Sequence, residues 1–140
     1  MNIPKFFVGS LLAGILLFLL GFLFYGLLFA SYLESVSTMQ APAVMRPMEA
    51  MYWPGLIVGN LLSGCLLTYV FLKTKTITIM SGLLTGAILG FLISAGVDCT
   101  IYGTTYMFKL KGLIADVAIS TTMMAITGAI LAPVLTKMNR

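Results

Sequence analysis

Two aspartates, Asp98 and Asp116, are the only acidic side chains near membrane depth in a chain that is 60% hydrophobic and 9% charged. They flank the turn between the third and fourth apolar spans, and a hairpin centred near residue 107 sets them nearly level. Two carboxylates so placed can share a proton or a cation. Charge is costly inside a membrane, so an ionisable residue there is a functional candidate by default.

Asp98 continues a stripe of small residues at intervals of four, Gly82, Gly86, Gly90 and Ser94, with Tyr102 one step further. Residues four apart share a helix face, so Asp98 is expected to point into a helix–helix interface. With the third span ending at Val97, it also sits at a helix C-terminus, where the dipole disfavours an anion. Such a carboxylate needs a cation, a donor or a proton. Asp116 falls in the first turn of the fourth span, where the dipole favours an anion, and its simplest role is to stabilise that helix end. Lys109 and Lys111 lie in the same turn, and salt bridges to them are the structural alternative to a ligand or proton site. Thr100, Tyr102 and Asn60 are the expected lining, with Ser120 one turn past Asp116. Asn60 serves either as interhelical glue or as the base of a pocket.

Met45, Met48 and Met51 recur at intervals of three in the outer loop. Thioethers suit Cu(I), and one helical turn would gather the three; otherwise they are plastic apolar filler. The absence of histidine removes bis-histidine haem, the usual His-rich zinc sites and a Ser-His-Asp triad. No phosphate-binding glycine loop occurs. The residues therefore point away from an enzyme, and no cofactor is expected.

The elements that must position these residues are membrane spans. A mean hydropathy of +1.08 leaves too much apolar surface for a water-soluble core, and about 20 apolar residues cross a bilayer. Four spans are expected: 6–30, 53–72, 77–97 and 113–135, joined by an outer loop over 31–52. The fold class is an all-α membrane protein, an antiparallel four-helix bundle in one domain over 1–140. The first span is about twice the usual 7–15-residue signal core and reads as a retained helix. The net charge of +4 needs no nucleic acid, because lysine and arginine gather at span ends. Lys5, Lys73, Lys75, Lys137 and Arg140 lie on one side, without acids. Arg46, Lys109 and Lys111 lie on the other with Glu34, Glu49, Asp98 and Asp116. The excess of basic residues puts both termini in the cytoplasm.

Gly55, Gly59 and Ser63 in span two repeat at the same interval as the span-three stripe. A four-residue turn, Lys73–Thr76, joins these spans, so the two stripes are expected to pack face to face; a dimer seam is the other use of such a motif. Cys65 and Cys99 lie at different depths and are expected as free thiols. Pro42 and Pro47 interrupt the outer loop, leaving 46–52 as one turn on the membrane surface. Most tyrosines and Trp53 gather at the outer end, as an interfacial belt does.

Two sequence stretches carry a family resemblance. Gly21-Phe-Leu-Phe-Tyr-Gly-Leu-Leu-Phe29 resembles the Gly-x-x-aromatic-Tyr-x-x-Leu-Phe signature of small bacterial four-span proteins of unknown function. Asp98-Cys-Thr-Ile101 followed by Asp116 is similar to a related family that shows Asp-Leu-Thr-Asn and then Asp-x-x-Trp. Asp98, Thr100 and Asp116 match, while Ile101 and Ile119 replace the asparagine and the tryptophan. The resemblance implies a bacterial inner (plasma) membrane and no known activity.

The expected function is binding, or minimal transport, of a cation, proton or small amphiphile at an acidic pocket in the outer end of the bundle. Asp98 is the primary ligand and Asp116 its partner. The rival is a structural or accessory subunit of a membrane complex. Expected partners are membrane lipid and a second copy or partner membrane subunit.

Overall fold

A computed structural model describes residues 2–138. Arg140, counted above among the inner basic residues, lies outside them. The elements in chain order are α1 (Ile3–Gly21), a π-helical segment (Phe22–Leu28), α2 (Ala30–Val36), α3 (Ala41–Val44), a 3-10 turn (Met48–Ala50), α4 (Trp53–Thr74), α5 (Ile79–Thr104) and α6 (Leu110–Lys137). Among the described residues no strand occurs, only a single bridge between Ser37 and Phe108. Four helical stretches are long and apolar enough to cross a membrane: Ile3–Leu28, Trp53–Thr74, Ile79–Thr104 and Leu110–Lys137. Their outward faces stay apolar, with Phe7 67%, Leu62 64% and Leu92 61% exposed. Helices apolar on every side belong in lipid.

Packing divides the bundle into two close pairs, α1 with α4 and α5 with α6. In the first pair the contact point is Gly64. A β-carbon there would stand 2.5 Å from the Gly14 amide nitrogen and 2.6 Å from the Ser10 carbonyl oxygen. In the second pair, Gly82 meets the Gly128 carbonyl and the Ala132 methyl, and Gly86 meets the Met124 carbonyl. Gly90 meets Met124 and the Thr121 backbone. Missing side chains let membrane helices approach to backbone contact. The pairs join through α1 and α6 around Leu17, Leu67, Phe71, Met123, Leu131 and Leu135.

This pairing corrects the expected one. The α5 glycines lie against α6, not α4, and α4 and α5 barely touch. Gly55, Gly59 and Ser63 are exposed, and nothing comes within 4 Å of a β-carbon at Gly59. A short turn ties two helices at one end only; along their length, the partner with the better matched small face wins. For α5 that face is Gly128, Ala132 and Ala125 on α6.

Helix ends are capped locally. Lys75 closes α4 in the left-handed conformation, φ 53°, with the Thr76 amide bonded to the Phe71 carbonyl at 3.0 Å. Thr78 and Ser81 form a capping box at the start of α5. On the opposite side α2 leans on the α5–α6 turn: Thr38 Oγ1 donates to the Tyr106 carbonyl, and Lys109 Nζ donates to the Ser35 carbonyl at 3.4 Å. Cys65 and Cys99 are free thiols.

Candidate functional site: an acid pair between the helix pairs

The helices run further than the hydropathy of the spans suggested. α5 continues to Thr104 and α6 starts at Leu110, so each aspartate lies about 9 Å inside its helix at 1.5 Å per residue. Helix-end charge effects fade within the first or last turn. The dipole arguments for Asp98 and Asp116 therefore both fail. What survives is the symmetry of the hairpin, which sets the two carboxyl groups opposite each other, close enough to hydrogen-bond once a proton lies between them.

Asp98 is 5% exposed, and its Oδ2 has no hydrogen-bond partner. Two carboxylates offer only lone pairs to one another, so this atom needs a proton or a cation. Neither outer lysine supplies one: Lys109 Nζ donates to the Ser35 carbonyl at 3.4 Å, and neither it nor Lys111 pairs with an aspartate among the described residues. The expected salt bridges are absent among the described residues.

The pair opens on a cavity of about 320 Å³ where the two helix pairs face each other. α4 contributes Asn60 and Ser63, α5 contributes Gly90, Ser94 and Asp98, and α6 contributes Asp116 and Ser120. Most polar groups here have already used a donor on backbone. Asn60 Nδ2 donates to the Leu56 carbonyl at 2.8 Å. Ser63 Oγ donates to the Gly59 carbonyl at 3.0 Å, and Ser94 Oγ to the Gly90 carbonyl at 2.7 Å. A hydroxyl has one proton, so both serines turn only lone pairs to the cavity. The Asn60 carbonyl oxygen makes no protein hydrogen bond.

Tyr25 enters from the π-helical segment. Its hydroxyl lies 2.9 Å from Ser120 Oγ and within reach of Asp116. The wider π turn, marked by the Phe29 amide bonding to the Phe24 carbonyl at 2.8 Å, re-aims this stretch of span one. Such turns recur at functional sites. The sequence placed Tyr25 in the interfacial belt; the Gly-x-x-aromatic-Tyr stretch was the only hint of more.

Of the expected ligands, Asp98, Asp116 and Asn60 meet at this cavity, and Thr100 and Tyr102 do not. Thr100 is exposed, with Oγ1 donating to the Gly96 carbonyl at 2.8 Å. Tyr102 lines a separate hollow with Thr38 and Tyr106. The buried face of α5 runs from Gly82 to Asp98, and Tyr102, one turn beyond its end, is 45% exposed. Ser63, Gly90 and Ser94, expected only in packing, line the cavity as well.

A second cavity of about 320 Å³ adjoins the first, with Asn60 and Met123 common to both. Its walls are Phe18, Phe22, Tyr25, Trp53, Leu56, Met48 and Met51. Met45 is not among them, because the loop coils only over Met48–Ala50 and is extended at Met45 and Met51. The three thioethers therefore do not stack on one turn. Among the described residues no cluster of three acidic or cysteine side chains could hold a metal ion. Compared with protein-family models, curated proteins and solved structures, the chain matches none.

Proposed function

We propose that this protein is a small membrane-embedded cation-binding protein, and that Asp98 and Asp116 hold a cation or proton in the cavity between its two helix pairs. One observation carries the proposal: Asp98, nearly buried and with one carboxylate oxygen that has no hydrogen-bond partner, lines a cavity together with Asp116 and two serines whose protons are already given to backbone. An acceptor-rich cavity attracts a cation and repels an anion. Asp98 is the primary ligand, Asp116 shares the charge, and Asn60, Ser63 and Ser94 complete the coordination. Tyr25 and Ser120 orient Asp116.

The frame is an antiparallel four-helix bundle with both termini cytoplasmic, supported by the basic residues gathered at Lys5, Lys73, Lys75 and Lys137. The acid pair then lies toward the outer face. The resemblance noted above speaks for a bacterial inner membrane. Transport would call for a second copy, since four helices enclose little pathway alone.

The test is thermal stability of the detergent-purified chain, wild type beside Asp98→Asn, with a panel of cations across about pH 5 to 8. A ligand that binds only the folded state raises the melting temperature. A selective rise in wild type, lost in the variant, supports the site. A flat panel with an equally unstable variant leaves a structural or accessory subunit.

A further inference from the structure

We infer that the natural ligand is a lipophilic organic monocation, an amine or quaternary ammonium with an aromatic or branched apolar body. This deepens the cation site proposed above and rests on it. The cation would sit against the acid pair and the body would fill the adjoining aromatic chamber.

The two cavities fit the two parts of one amphiphile. One carries Asp98, Asp116, Ser63 and Ser94 among apolar walls that include Leu17, Leu66 and Ile93. The other has almost no polar wall beyond Asn60 and the Tyr25 hydroxyl. Phe18 and Trp53 stand 6.3 Å apart between ring centres at 59°, offering aromatic faces that attract a cation as readily as an apolar body. Each cavity is about 320 Å³, at the lower end of the roughly 300–1,000 Å³ typical of small-molecule sites.

Three residues link the halves. Asn60 and Met123 line both. Tyr25 lines the aromatic chamber while its hydroxyl bonds Ser120, a wall of the acidic cavity. A methionine divider is compliant, so Met123 can yield to ligands of different girth. A bare metal ion or a proton would need only the acidic half and would leave the chamber without a role. A neutral lipid chain would fill the chamber alone and make no use of the acid pair beside it.

The chain carries one tryptophan, and it lies in the chamber wall, so Trp53 fluorescence reports occupancy directly. The full detergent-purified chain is titrated with tetraphenylphosphonium and, as a neutral body of similar shape, triphenylphosphine oxide. Tetramethylammonium, a cation without such a body, is followed by thermal shift. The variants are Asp98→Asn, Phe18→Ala and the loop substitution Met48→Ala, which leaves the spans intact. The expected result is saturable quenching by tetraphenylphosphonium, weakened about tenfold by Phe18→Ala and more by Asp98→Asn. A smaller loss is expected with Met48→Ala. Triphenylphosphine oxide binds weakly and ignores Asp98→Asn, and the tetramethylammonium shift depends on Asp98 alone. If tetramethylammonium needs Asp98 but tetraphenylphosphonium fails to bind, or ignores both chamber variants, the organic-cation inference falls while the acid site stands. Equal binding of the neutral compound also overturns it, and marks the chamber as a lipid slot. If no cation responds to Asp98→Asn, both proposals fall together.

Discussion

Gly64→Ala should be among the most damaging single-methyl additions in this chain, and Gly59→Ala, five residues earlier on the same helix, among the most benign. A β-carbon at Gly64 would lie 2.5 Å from the Gly14 nitrogen and 2.6 Å from the Ser10 oxygen, against 3.4 Å for ordinary contact. Both obstacles are backbone, so no side chain can rotate away and α1 must move off α4 by about 1 Å. Overpacking of this kind costs roughly 1–3 kcal/mol, and the immovable partners put Gly64 near the top of that range. At Gly59 nothing lies within 4 Å. There alanine contributes only its better helix propensity, about 0.5–1 kcal/mol in favour of the fold. The two variants should therefore differ by about 3–4 kcal/mol. Reversible denaturation in mixed micelles, with helicity as the readout, measures that difference. Equal destabilisation by the two would refute the reasoning: Gly59 would then be a packing residue and the α1–α4 contact would lie elsewhere.

Tyr25→Phe removes one half-buried hydrogen bond, to Ser120, and should lower stability by about 1 kcal/mol in the same denaturation assay. Wild-type stability in that variant would mean that Ser120 does not hold Tyr25 over Asp116. Cation binding should weaken on acidification, because every proton taken up by Asp98 or Asp116 removes charge that holds the cation. With one proton displaced per cation, the apparent Kd rises about tenfold per pH unit on the acid side. A Kd that does not change with pH would exclude competition at the pair.

Composition and hydropathy were enough to read the four spans, because lipid demands long apolar helices whatever their neighbours. The buried acid was legible too: Asp98 falls on the glycine face of α5, and that face is buried. The partner of the face was not legible. Stripes at Gly55/Gly59/Ser63 and Gly82/Gly86/Gly90 look alike in sequence, yet only the second has opposite it a helix with Gly128 and Ala132 at matching heights. Gly64, the true contact on α4, breaks the four-residue pattern that drew attention to its neighbours. Span ends were misjudged because Thr100 and Thr104 are polar, yet each gives its hydroxyl proton to a carbonyl of its own helix. Tyr25 was hidden by a π turn, which a 3.6-residue periodicity cannot reveal.

The division of walls between the halves of the chain has a further consequence. Both aspartates reside on the second pair, α5 and α6, whereas every chamber wall except Met123 comes from residues before the Lys75 turn. Sequence drift at Phe18, Phe22, Met48 or Leu56 can thus reshape what fits the chamber without disturbing the carboxylates, and a change at Asp98 or Asp116 can alter the charge without altering the chamber walls. Two such halves are separately inheritable: chimaeras exchanging residues before and after that turn would mix one parent's selectivity with the other's ionic requirement.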